Sequence, residues 1–129
     1  IQFSNHETLK DKDQNWSKKL KGGKIKPEGK IDLHGMTCAE AHEKLHKYLD
    51  RAQRFGKRVI LVITGKGGPK REYDAYRFRD FENGHGVLKR EVPMWLSGGT
   101  MRHMVVSFQD AQPSDGGGGA LYVILKRLT

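Results

Sequence analysis

Hydrophobic positions fall into regular patterns from residue 31 onward and into none before it. Ala41, Leu45, Tyr48, Leu49 and Ala52 recur at helical spacing and make one apolar stripe. Thr37, followed three residues later by Glu40, is a capping-box signature, so the helix is predicted to begin there, and Gly56 supplies its stop. Ahead of it Ile31 to Leu33 reads as a short strand leading into a turn at Gly35. RVILVIT, 58 to 64, is a continuous, β-branched run of the kind that fills a parallel strand with a helix-covered face. Helical spacing resumes through Val87, Leu88, Val92, Trp95 and Leu96, with Pro93 expected to bend or restart that helix. HMVVSF, 103 to 108, and ALYVILKR, 120 to 127, read as strands separated by DAQPSDGGGG. The predicted order is β-α-β-α-β-β, an α/β chain.

The unpatterned remainder sets the organisation. A chain of 129 residues suits one core plus a tail, because two cores would each bury too little apolar surface. Residues 1 to 29 are predicted to be a basic, largely flexible N-terminal arm and 30 to 129 the domain; the first 30 residues hold eight lysines and four acids with little apolar periodicity. Trp16 and Leu20, at i,i+4, either form one helical turn docked on the domain or belong to a free tail. An insert at about 69 to 85 mixes arginines with Tyr73, Tyr76, Phe78 and Phe81 and reads as an excursion from the core. The only low-complexity stretch is the glycine run 116 to 119.

Charge narrows the partner. Lysine and arginine total 24 against 15 acids, a net charge of +9, and the pI is near 9.8. That balance favours polyanions through counterion release, with nucleic acid foremost. An anionic membrane would satisfy the same charge, but no basic amphipathic helix with a Trp or Phe face accompanies it, and no apolar run approaches the roughly 20 residues of a membrane span. Cys38 is alone, which rules out an intramolecular disulfide and a cysteine-based zinc site and suits the reducing cytoplasm. No charged-then-apolar leader opens the sequence, and its start at Ile1 without Met suggests an expressed or processed fragment.

Four stretches carry candidate chemistry. HEKLH, 42 to 46, spells the H-E-x-x-H pattern of zinc proteases, but His42 and His46 are predicted on the polar flank of the stripe, facing away from the core. The third ligand would have to come from His6, His85 or His103, none of which stands in a recognised continuation of that motif, so surface histidines are the expectation. DLHG, 32 to 35, puts Asp32 and His34 two apart at a strand end, and period two aims both at one face. They could bind a cation or share proton transfer; alternatively they form a simple Asp-His turn with a left-handed Gly35. TGKGG, 64 to 68, follows a strand, so its glycine N–H groups could approach a phosphate while Lys66 adds charge, although it is not a Walker A loop. The run at 116 to 119 could likewise admit a close ligand or be a flexible connection.

Taken in order, strand-end DLHG, the T-x-x-E-A helix start, strand-end TGKG, GVLK-x-x-VP-x-WL and GGGGALYVILKR resemble the Smr (small MutS-related) domain, found at the C-terminus of MutS2 proteins and as stand-alone bacterial proteins. The resemblance covers about residues 30 to 127, and the W-x-x-x-L arm and PEGKIDLHG approach look like the stand-alone proteobacterial form. It implies a two-layer sandwich of a four-stranded mixed sheet and two helices, similar to the C-terminal domain of translation initiation factor 3. Relatives include DNA-nicking and RNA endonucleases and others expected only to bind nucleic acid. Asp32 and His34 match the acid and histidine of the family's first motif. Lys66 and Gly67 fall on its histidine-glycine-x-glycine loop, and Gly119 on the last glycine of its Gly-Gly-x-Gly element. Thr64 stands where a histidine is frequent before Gly65, leaving His34 the only imidazole inside a matching motif. Lys89 stands where arginine is usual, keeping charge but losing the bidentate fork for phosphate.

The expectation is an endonuclease that nicks DNA or cleaves RNA, with Asp32 and His34 catalytic. Thr64, Gly65, Lys66, Gly67, Lys89, Arg90, Gly117, Gly119, Lys126 and Arg127 would contact nucleic acid, both glycine turns converging with the first strand at one rim. An imidazole exchanges protons near neutrality, so His34 is the candidate acid or base. Asp32 could orient it, activate a nucleophile or hold Mg²⁺ or Mn²⁺, and one carboxylate leaves metal dependence open. The alternative is a non-catalytic nucleic-acid-binding module; a protein-interaction adaptor is a third reading, distinguished by binding insensitive to salt.

Overall fold

The structure is a computed structural model that describes residues 26–65 and 87–128. The arm's Trp16 and Leu20, the loop residues Lys66 and Gly67, and the aromatic insert lie outside the described residues. Six main elements follow in the predicted order: β1 (Gly29–Asp32), α1 (Cys38–Arg54), β2 (Val59–Ile63), α2 (Val87–Gly98), β3 (Val105–Asp110) and β4 (Ala120–Leu125). The sheet runs β1-β2-β4-β3, with β1 parallel to β2 and β4 antiparallel to both β2 and β3.

The capping box forms as the sequence dictates. Thr37 Oγ1 accepts from the Glu40 N–H at 3.2 Å and the Glu40 carboxylate accepts from the Thr37 N–H at 3.0 Å, satisfying two donors at the helix start. The stripe residues Ala41, Leu45, Leu49 and Ala52 are buried against Ile31, Ile60, Val62, Val123 and Leu125 of the sheet and against Leu88, Val92 and Leu96 of α2. Gly56 ends the helix with φ +81°.

Both faces of the sheet are apolar. Val59, Leu61, Val106, Ala120, Tyr122 and Ile124 form a second buried cluster on the face turned from the helices. For this reason β2 and β4 read as continuous hydrophobic runs rather than alternating ones.

Three local expectations change. Pro93 does not restart a helix: α2 runs unbroken past it, and Ser97 Oγ donates to the Pro93 carbonyl at 2.8 Å. His103 and Met104, read as strand, form a 3-10 turn with Arg102 that feeds β3, because the chain leaving α2 at Gly98 must reverse before joining the sheet. DAQPSDGGGG becomes two 3-10 turns, Pro113–Asp115 and Gly117–Gly119, rather than a loose connection. Tyr122 pins them: its hydroxyl donates to Asp115 Oδ2 and accepts from the Gln112 N–H. Burial, with the Asp115 carboxylate beside it, raises the Tyr122 pKa above its ordinary value, so the phenol stays protonated and remains a donor.

Candidate functional site

β1 and β2 run in parallel, so their C-terminal ends lie side by side, and β4, antiparallel to β2, begins at that same end with Ala120 beside Ile63. Chain ends of this kind form a crevice in which open sheets bind ligands. Leu33 extends the ladder one bond past β1, its N–H donating to the Ile63 carbonyl at 2.8 Å, and the chain then turns through Gly35, φ +81°.

Asp32 and His34 meet inside that turn. The His34 N–H donates to Asp32 Oδ1 at 3.0 Å, and His34 Nδ1 lies 2.6 Å from the same oxygen. The two side chains therefore come together through an Asp-centred turn rather than through strand alternation, since β1 ends at Asp32. The turn reading and the paired acid-imidazole reading hold at once. A carboxylate has no proton to give, so Nδ1 carries the hydrogen, and Nε2, on a side chain 69% exposed, has no bonding partner among the described residues. Partial burial works to raise the Asp32 pKa, but hydrogen bonds from the His34 ring and N–H, with the charges of His34 and Lys30, outweigh it and leave it below the ordinary carboxylate value.

The two glycine turns interlock beside this pair. The Thr64 and Gly65 N–H groups both donate to the Gly119 carbonyl, at 2.9 and 3.0 Å. Gly65, φ +88°, passes so close that a Cβ built on it would lie 3.3 Å from His34 Cβ. Thr64 clamps the two turns together: it is buried, and its hydroxyl donates toward the Gly65 and Gly119 carbonyls. Gly65, Gly117 and Gly119 likewise have their N–H groups engaged within the protein, Gly117 with the Gln112 carbonyl and Gly119 with the Gly116 carbonyl. These bonds hold the shape of the rim.

Gly118 was not singled out in the sequence. Its N–H meets no described acceptor, it is exposed, and a Cβ on it would sit 3.6 Å from Lys89 Nζ. A run of four identical residues gives no hint which amide stays free; the turn geometry decides. Lys89 thus joins the rim from the first turn of α2. Arg90, next to it, is turned toward Glu91, with Nε 3.7 Å from Oε2.

Lys126 and Arg127 do not join them. β4 runs antiparallel to β2, so its C-terminal end lies beside Val59 at the far end of the sheet. There the Lys126 N–H donates to the Met104 carbonyl and Gln53 Nε2 to the Lys126 carbonyl. With strands of five and six residues the two ends are separated by ~17–20 Å.

The histidines of HEKLH are not free surface groups. His42 is half-buried at the junction with α2, edge-on to Trp95 at a ring-centroid distance of 4.8 Å, with Nε2 2.7 Å from Thr100 Oγ1. His46 lies 6.4 Å from the His42 ring and 6.5 Å from that of His103. Among the described residues no three His, Cys, Asp or Glu side chains gather closely enough to hold a metal ion. At the rim itself Asp32 is the one acid of the pair, and its Oδ1 is engaged by His34, so Asp32 alone is a thin ligand set for a divalent cation. No helix among the described residues is long and apolar enough to cross a membrane.

The sequence model of the Smr domain matches residues 31–126. Ribosome rescue factor SmrB of Aeromonas hydrophila is 31% identical over 108 residues, covering 84% of this chain and 51% of that protein. Probable DNA endonuclease SmrA of Escherichia coli is 28% identical over 109 residues, with 84% and 51% covered. The chain spans about half the length of the curated relatives it matches. Among solved structures, YdaL, a stand-alone small MutS-related protein from Escherichia coli, superposes with a TM-score of 0.63 at 26% identity, covering 86% of this chain and 74% of that one. The Smr domain of Thermus thermophilus MutS2 gives 0.57 at 28% identity over 76% and 98%. Family match and superposed folds agree, and the chain belongs to the Smr domain family.

Proposed function

We propose that the Asp32–His34 end of the sheet binds a nucleic-acid backbone and cleaves its phosphodiester bonds. The observation that carries this reading is the fixed imidazole: Asp32 holds Nδ1, and the exposed His34 side chain, packed beside the Gly65 turn, has Nε2 bonded to no described residue. With Nδ1 tied, a neutral His34 takes a proton at Nε2 from an attacking hydroxyl or water, and its protonated form returns one to the leaving oxygen. Asp32 stabilises the imidazolium that forms between those steps, as a carboxylate beside an imidazole does elsewhere. Lys89 Nζ and the Gly118 N–H supply positive charge and a backbone donor for the phosphate oxygens. These contacts read backbone and no base, so they set no sequence preference.

A binding module without cleavage is favoured by one observation. Thr64, where a second imidazole would stand, is buried and engaged with carbonyls, so among the described residues of these turns one proton-transferring group is present. Labelled duplex DNA, branched DNA and single-stranded RNA, each with and without Mg²⁺ or Mn²⁺, followed by end-group determination, decide between the two. A 2′,3′-cyclic phosphate assigns the RNA 2′-hydroxyl as nucleophile, and a 5′-phosphate assigns water. Binding with no product on any substrate establishes the module instead.

A further inference from the structure

The end of the sheet opposite the rim carries its own concentration of positive charge. A groove of about 430 Å³ opens there between the C-terminus of α1 and the chain leaving β4, lined by Arg54, Lys57, Arg58, Lys126 and Arg127 with Leu128 at its edge. None of its lining residues is acidic. Arg54 is held to Asp50 at 3.2 Å, while Lys57, Lys126 and Arg127 are paired with no carboxylate among the described residues. Arg58 is anchored by its Nε bond to the Leu125 carbonyl at 2.8 Å; its burial and the nearby Arg127 charge lower its pKa, against the pull of Glu28. Five cations gathered in one groove against two nearby carboxylates, Asp50 and Glu28, leave an excess of positive charge that attracts an anion.

Apolar groups flank the charge. Phe55, 75% exposed at the C-cap of α1, and Leu128, 58% exposed, are two of the three large hydrophobic side chains left open to solvent among the described residues. Phe55 lies in the chain between Arg54 and Gly56 of this groove and itself lines the adjoining one, with Lys47, Asp50, Arg51 and the shared Arg54. Cations that track a backbone beside an open aromatic ring on which a base can stack are the combination that binds single strands without regard to sequence.

We propose that this groove is a second nucleic-acid site, separate from the Asp32–His34 rim, in which Lys57, Arg58, Lys126 and Arg127 hold phosphates of a single strand and Phe55 stacks on one of its bases. The site binds and performs no chemistry, since no acid-imidazole pair stands in it. It lies ~17–20 Å from the rim, so a strand reaching both must span several nucleotides. It needs no cleavage at the rim and stands whether or not the rim proves catalytic.

The test is binding of a labelled oligouridylate to the full chain by fluorescence anisotropy across a salt series. Wild type is compared with Phe55→Ala and with the triple variant Lys57→Gln, Lys126→Gln, Arg127→Gln, whose side chains lie outside both apolar clusters. The triple variant should bind at least tenfold more weakly, with the slope of log affinity against log salt reduced by about 2, three lost contacts at ~0.7 each. Phe55→Ala should lose about fivefold or more with an unchanged salt slope. Should the triple variant not fold, the exposed Arg127→Glu carries the same measurement. Wild-type affinity and slope in these variants overturn the proposal, as does a loss confined to phosphatidylglycerol vesicles with the oligonucleotide unaffected. Both outcomes differ from failure of the rim reading, which shows as cleavage that survives loss of Asp32 and His34.

Discussion

Replacing Gly65 by alanine tests how closely the second strand's turn governs His34, and Gly35→Ala provides its control. Both glycines have positive φ, +88° and +81°, so an alanine at either meets the same backbone penalty of about 1–2 kcal/mol. They differ in surroundings: a Cβ at Gly35 meets nothing within 4 Å, whereas one at Gly65 arrives 3.3 Å from His34 Cβ, closer than ordinary contact. His34 must then give by a few tenths of an ångström, against its 2.6 Å bond to Asp32. Urea denaturation should show both variants destabilised by about 1–2 kcal/mol. Only Gly65→Ala should shift the His34 ring resonances and slow cleavage further, by about fivefold, since a misplacement near 1 Å costs ~100-fold in rate. Equal losses of cleavage rate in the two variants, or unmoved His34 resonances in Gly65→Ala, would refute the claimed contact between the two turns.

Thr37→Ala removes one half of the capping box and should lower stability by about 1 kcal/mol in thermal or chemical unfolding. Tyr122→Phe deletes the hydroxyl that links Asp115 to Gln112; a loss of about 1–2 kcal/mol is expected, with faster hydrogen exchange at the Gly117 and Gly119 amides. The depressed Asp32 pKa means that the folded state holds fewer protons there than the unfolded one. Its stabilising contribution is therefore present above the ordinary 3.8 and is lost as pH falls through the lower folded value, so wild type and Asp32→Asn should differ in stability at neutral pH and converge in acid. Lys89→Ala should weaken binding at the rim and reduce the salt slope by about 0.7–0.9, the share of one phosphate.

Much of the fold was legible because its signals are local. Thr37 and Glu40 announce a helix start through their own hydrogen bonds, Gly56 announces its end, and the apolar spacing from Ala41 to Ala52 fixes which face is buried. The Asp32–His34 pair was also legible, being closed within three residues of chain. What the sequence could not supply is direction and orientation in space. Lys126 and Arg127 follow closely on the glycine run in the chain, yet an antiparallel strand carries them to the opposite end of the sheet. Thr64 sits in the loop motif, but its hydroxyl turns inward because the Gly119 carbonyl offers an acceptor from another strand. His42 occupies a polar flank by helical phase alone and is half-buried only because α2 brings Trp95 against it.

An Asp32→Ala, His34→Ala double variant, assayed side by side for binding and for cleavage of whichever nucleic acid the wild type cuts, addresses the proton-transfer pair without touching Lys89 or Gly118. Retained affinity with no detectable product is the outcome required if one acid-fixed imidazole moves the protons at this rim. Strand scission continuing at the wild-type rate would place the chemistry elsewhere in the molecule.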